Sequence, residues 1–376
     1  MQYVTQLEKI HLYDLMTVGG KAANLGELIN AGFPVPPGFV VLTSAYDSFV
    51  TENNLQSDIN RLAQTVSLTD PSTAAQVAHG IQELFKQAVL PEVIKEAVFS
   101  AYAQLGNTAV AVRSSATVED LPGASFAGLQ ETFLNVLNVE DLFLALRQCW
   151  SSLWTARALT YRAYQHIAPE TVHMAVIVQQ MVVATTSGMI FTCNPMTSAQ
   201  DEMVINASWG LGEAIVSGHV NPDVVTINKE SGQVQFKKVA EKLLMTVPSD
   251  SGVFEQAVPS ELQQQPVLST EQIACLHQLG LKIEKHFHSP QDIEWAIADN
   301  KLLVLQARPV TARPSIQAIT VSQSELAVPG DDGWDRQTEP LVQPYDLWTR
   351  TNLGENFPDP VSPLSATLWP IFFLLG

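Results

Sequence analysis

The sequence predicts an α+β protein, with helices concentrated in its first half and strands in its second. Three observations carry this expectation. Up to about residue 166, apolar residues recur mostly at helical spacing. Residues 173–228 then present four strand-like runs separated by Gly, Asn and Pro turns. A single helix signal at Ser269 precedes two short runs, DIEWAI and LLVLQAR, that read as a hairpin.

Taken in order, VGGKAANLGELINAGFPVPPGFVV places Gly19 and Gly20 before a helical pattern that ends at Gly32, a natural left-handed C-cap. A strand is expected at 39–42. Helices are expected at 72–87 and 91–105, the second with Pro91 in its first turn. The apolar run 109–112 reads as a buried strand. One long amphipathic helix is expected over 139–166, with Trp150, Trp154, Tyr161 and Tyr164 in the core rather than against a ligand. Strands are expected at 173–182, 187–191, 202–207 and 223–228. Ser269 and Gln272 form a capping box for a helix that buries Ile273, Leu276, Leu279 and Ile283. Beyond Arg308 the chain takes on linker composition, and its apolar ending, ATLWPIFFLLG, reads as a domain cut short.

At 376 residues and 46% hydrophobic content, the chain is long enough for two or more packed units. Asp+Glu 38 against Lys+Arg 20 gives a net charge of -18, which argues against nucleic acid and anionic membranes as partners. An anionic ligand must then be held by a few focused cations, and Lys21, Arg113 and Arg308 lie beside Gly-rich turns or at strand ends. Cys149, Cys193 and Cys275 are far apart and odd in number, which suits a reducing cytoplasm rather than a disulfide framework or zinc site. The start lacks the pattern of a signal peptide, and no apolar run reaches the length of a membrane span.

Four motifs carry chemistry. Lys21 follows a double glycine at a helix start, where an anion is favoured, although GGKA is not a GxxxxGK[ST] loop. In AVRSSATVEDLPGASFAGLQETFLNV, Arg113 ends a strand and small or hydroxyl residues lead to Thr132, a composition that lets a backbone approach phosphate closely. Gly210, Gly212 and Gly218 fit a tight strand-to-helix crossover as well as a ligand contact. Asp292 and Glu294 share one strand face, and Gln306 and Arg308 share one on the partner strand. A two-residue turn at Asp299-Asn300 pairs Glu294 with Leu305, whereas a three-residue loop, or a bulge of the same effect, pairs Glu294 with Gln306. Only the second arrangement gathers oxygens for a hard cation.

Together these segments resemble the nucleotide-binding domain of the family that includes phosphoenolpyruvate synthase, pyruvate phosphate dikinase, rifampin phosphotransferase and the glucan, water dikinases. VGGKAANLGEL with VPPGF, the Arg113 segment, SWGLGEAIVSGHVNPD, and DIEWAI with LLVLQARPVT carry the likeness in order, from about Val18 to Thr311. The resemblance implies an ATP-grasp-like fold of two lobes, 1–182 and 183–312, followed by a linker and the truncated start of an acceptor-binding domain over 313–376. It implies ATP and magnesium as cofactors. Lys21, Arg113 and Arg308 would contact phosphates, Gly128 and Thr132 would lie in the covering loop, and Glu294 and Gln306 would hold the metal. Gln179 would lie near the nucleotide, and the backbone of Gln180 to Val182 would read the adenine edge.

In whole enzymes of this family a histidine in a Gly-rich Ser/Thr-His-Ala segment carries the phosphoryl group between domains. None of the eight histidines here lies in such a segment, so the carrier and acceptor domains are expected to be missing from the chain. The acceptor stays open, as does a non-catalytic ATP-binding regulatory module, or a fragment of a decayed gene, as the alternative reading.

Overall fold

A computed structural model of the protein describes residues 2–310 except 69, 118–130, 166, 217, 219 and 251. These residues belong to one compact unit, Met1–Thr311. The chain opens with β1 (Val4–Gln6), α1 (Leu15–Asn30), β2 (Gly38–Val41), α2 (Thr43–Glu52), α3 (Leu55–Ala63), α4 (Pro71–Gln87) and α5 (Glu92–Gln104). There follow β3 (Val110–Ala116), β4 (Thr132–Val136), α6 (Val139–Ser152), α7 (Ala156–Gln165) and β5 (Met174–Gln180). The second half contains β6 (Thr186–Phe191), β7 (Glu202–Trp209), α8 (Glu213–Val216), β8 (Asp223–Asn228) and β9 (Val234–Lys238). It continues through β10 (Leu244–Ser249), β11 (Gly252–Ala257), α9 (Thr270–Phe287), β12 (Gln291–Ala298) and β13 (Lys301–Pro309).

Two antiparallel sheets organise these elements, confirming an α+β architecture. The first has the order β1-β2-β5-β3-β4, the second β13-β12-β6-β7-β8-β9, and β10 and β11 form a separate hairpin. Strand β2 and the MAVIV part of β5 are continuous apolar runs because both faces of the first sheet are covered. Phe39, Val41, Val176 and Val178 face the helices α2 to α7, while Val40, Ala175 and Ile177 face α1. The second sheet is covered on one face by α9, whose Ile273, Leu276, Leu279 and Ile283 pack on Ile190, Ile205, Ile293 and Trp295. Leu28 of α1 joins this second core, so α1 lies against both sheets.

Local signals account for several helix ends. Ser269 and Gln272 make the reciprocal bonds of a capping box at the start of α9. Gly32 has φ 82°, and the bonds from Gly32 N to Ile29 O and from Phe33 N to Leu28 O close α1 as a Schellman motif.

Other expectations need correction. The helix expected over 139–166 is two helices, α6 and α7. Thr155 Oγ1 accepts from Ala158 N to start α7, and the Leu153 carbonyl released by the break accepts from the buried Arg162 guanidinium, which also lies over the Trp154 ring at 4.5 Å. Tyr164 is exposed rather than in the core. Pro91 is the N-cap of α5, not a first-turn residue. Helix α1 starts at Leu15, four residues before the double glycine, and breaks at Gly19 (φ 75°).

Candidate functional site

Lys21, Arg113, Thr132 and Gln179 come together on the face of the first sheet that α1 covers. Directly opposite residues of an antiparallel pair share a face; Arg113 lies opposite both Ile177 and Thr132, and Gln179 lies opposite Ala111 and Gly38. Ile177 packs on α1, which fixes that face. From α1, the buried Lys21 donates from Nζ to Ser114 O at 3.4 Å. The adjacent Ala22 N–H donates to Ser115 Oγ at 3.1 Å. One of the N–H groups expected to await an anion is therefore already satisfied by Ser115. Gly19 is needed for close approach, since a Cβ there would sit 2.2 Å from Ser115 O.

On the second sheet, the β12–β13 hairpin uses the two-residue turn, with positive φ at both Asp299 and Asn300 and Ala298 opposite Lys301. That turn alone would send Gln306 to the wrong face. A bulge intervenes: Trp295 pairs with Val304, yet Glu294 pairs with Gln306, leaving Leu305 as the extra residue. Val304 and Ala307 both reach the α9 core, while Gln306 and Arg308 turn to the face of Glu294 and Asp292. Arg308 Nε donates to Asp292 Oδ2 at 2.9 Å. Burial pushes the Asp292 carboxyl up to about 6, against the lowering effect of Arg308.

Arg113 joins the two sheets. Its Nη1 donates to Glu294 Oε2 at 3.2 Å and, more weakly, to Leu305 O at 3.5 Å. Several buried polar groups here lack protein partners among the described residues. Arg113 Nε and Asp292 Oδ1 are buried without a hydrogen bond, and among the described residues nothing bonds to the buried Gln306 amide. Unpaired buried polar atoms are costly unless something else satisfies them. The donor set fits a phosphate with a hard cation: a guanidinium N–H for the anion, and carboxylate and amide oxygens for the metal. No group of three or more His, Cys, Asp or Glu side chains gathers among the described residues, so a magnesium ion here would complete its shell with water and phosphate oxygens.

The sequence matches the family model for the pyruvate phosphate dikinase AMP/ATP-binding domain over residues 15–326. The chain belongs to that family. It is 40% identical over 337 residues to a probable phosphoenolpyruvate synthase of Methanothermobacter thermautotrophicus, covering 88% of this chain and 49% of that protein. It is 38% identical over 381 residues to the phosphoenolpyruvate synthase of Pyrococcus furiosus, covering 88% of this chain and 46% of that one. A rifampicin phosphotransferase from Streptomyces is 40% identical over 311 residues, covering 82% of this chain and 36% of that protein. The chain thus spans half or less of the length of these relatives.

Gly128 lies outside the described residues, as does most of the loop before Thr132. The Gln179 amide is engaged by Pro36 O at 3.3 Å. In the segment between the sheets, Gln180 N and Met181 N donate to Pro37 O and Ala109 O, so the expected edge-reading backbone shrinks. Val182 N–H has no partner among the described residues. Gly210 answers to packing: a Cβ would sit 2.4 Å from Thr246 O, which accepts from Leu211 N. Asn206 was not anticipated. Through Met189 it extends the cross-strand row of Gln306 and Glu294, and its Oδ1 is buried without a partner. Its position in the apolar run EMVINASW was the available signal.

No helix among the described residues is long and apolar enough to cross a membrane.

Proposed function

We propose that the chain binds Mg-ATP between its two sheets, as the nucleotide-binding portion of a dikinase like phosphoenolpyruvate synthase or rifampicin phosphotransferase, with the two-lobed arrangement of an ATP-grasp-like fold. The observation that carries this reading is the bulge at Leu305, which sets Gln306 beside Glu294 and within the span of Arg113. Lys21, Arg113 and Arg308 hold phosphate oxygens, and Gly128 and Thr132 belong to the covering loop. Val182 N–H and the Gln180 carbonyl offer the adenine edge one donor and one acceptor. Glu294 and Gln306 hold magnesium, which when bound neutralises phosphate charge.

Arg113 and Glu294 hold each other in the structure; with nucleotide and magnesium bound, Arg113 would turn to phosphate oxygens and Glu294 to the cation, which would replace the ion pair. The phosphoryl group then passes to a histidine on a carrier domain outside these 376 residues.

Calorimetry in magnesium should show ATP preferred over GTP. Lys21→Ala and Arg308→Ala should each weaken binding by ~1–3 kcal/mol, the range for a charged hydrogen bond. Folded wild-type protein that takes up no ATP would sink the proposal. Radiolabelled ATP should leave no acid-labile phosphohistidine on this chain, and stoichiometric labelling of one of its own histidines would overturn the carrier assignment.

A further inference from the structure

Away from the nucleotide site, an open groove of about 940 Å³, with most of its lining residues exposed, lies between the C-terminal end of α1, α9 and the start of β13. This volume is within the range of small-molecule sites. Its apolar part comes from Phe33, Pro34, Leu279 and Leu302, and its polar part from the ammonium groups of Lys282 and Lys285 with the imidazoles of His286 and His288. On α9 the lining positions 275, 278, 279, 282, 285 and 286 recur at three- and four-residue spacing, so they share one face. The adjoining face of the helix, from Leu279 round through Ile283, Leu276 and Ile273, is buried on the second sheet.

Lysines in the last turn of a helix complement its dipole, but that role requires neither a groove nor an apolar floor. Among the described residues no carboxylate lines this groove. Glu27 stands beside it, bonding His286 Nε2 at 2.8 Å. Lys282 and Lys285 have no hydrogen-bond or ion-pair partner among the described residues, in a chain with 38 acidic and 20 basic side chains. Two ammonium groups without a partner among the described residues, above an apolar floor, form a local trap for anions in an otherwise acidic protein.

We propose that this groove binds a small, multiply charged phosphate compound, at a site separate from the nucleotide site and independent of its assignment. Ammonium groups suit phosphate as compact point charges with rotatable donors, and the apolar floor receives the body of an organic phosphate.

Cys275 lines the groove and is exposed, whereas Cys149 and Cys193 are buried. Its reaction with dithiobisnitrobenzoate, a dianionic disulfide, reads anion access, and its reaction with neutral dithiodipyridine controls for exposure. Cys275→Ser confirms which thiol reports. Saturating pyrophosphate at constant ionic strength should slow the dianionic probe by about ten-fold, the low end of charge focusing in a cleft. The exposed double substitution Lys282→Glu with Lys285→Glu should abolish that protection while leaving dithiodipyridine reactivity unchanged. Protection should persist in Lys21→Ala, and malonate should protect far less than pyrophosphate. Absent protection, or protection that survives the charge reversal, overturns the site. Protection lost in Lys21→Ala assigns pyrophosphate to the nucleotide site instead, and equal protection by malonate overturns the phosphate class.

Discussion

Replacing Arg113 by Met and Glu294 by Gln, singly and together, measures how strongly one ion pair ties the two sheets. The pair is 3.2 Å long, with side chains 10% and 23% exposed. A hydrogen bond to a charged group contributes about 1.5–3 kcal/mol when buried, and a fully exposed ion pair contributes about 0–1. This pair lies between those limits, so a coupling energy of about 1–2 kcal/mol is expected in urea unfolding without nucleotide. The singles should be unequal. Arg113→Met strands a largely buried carboxylate and should cost roughly 2–3 kcal/mol, whereas Glu294→Gln leaves the guanidinium an amide oxygen and should cost less. In saturating Mg-ATP the coupling should shrink, because both partners turn to the ligand. A coupling below about 0.3 kcal/mol without nucleotide, within the additivity expected of independent sites, would refute the bridge. An unchanged coupling with nucleotide would refute its exchange on binding.

Three further outcomes follow from particular contacts. Gly19→Ala places a Cβ 2.2 Å from Ser115 O at φ 75°; it should cost at least ~2 kcal/mol in urea unfolding and weaken ATP binding through Lys21. Asn135 has φ 56°, and its Nδ2 donates to Ser249 O at 2.6 Å and Gly252 O at 2.8 Å. Asn135→Ala should therefore cost ~2–4 kcal/mol, and Asn135→Gly about 1 kcal/mol less, because glycine removes only the backbone penalty. Lys242 is fully buried against Asp223 at 2.6 Å. Lys242→Met should cost about 3 kcal/mol or more in the same assay by leaving that carboxylate, among the described residues, with the Ala240 and Val267 N–H donors alone.

Features governed by short-range chemistry were legible in the sequence. The Ser269–Gln272 capping box and the Gly32 C-cap depend on residues within one helical turn, and both formed. The apolar run 109–112 signalled a buried strand, which forms as β3 from Val110 onward, and the four motifs in order carried the family resemblance. Elements lacking such a signal escaped notice. Strand β9 is exposed at every position, and its alternation is limited to Val234 and Phe236. The break between α6 and α7 interrupts the Trp150, Trp154 spacing because a distant guanidinium, Arg162, rescues the Leu153 carbonyl.

The sequence by itself determined the fold class, the family and the residue types available for phosphate and metal. Tertiary structure alone decided which of those residues meet. Asp299-Asn300 specifies a two-residue turn, which locally pairs Glu294 with Leu305. Packing of both Val304 and Ala307 against the α9 core requires one extra residue in β13, and that bulge turns Gln306 toward Glu294. Arg113 and Glu294 are 181 positions apart, so no local pattern could announce their contact. It exists because α1 packs against both sheets and brings their polar faces together.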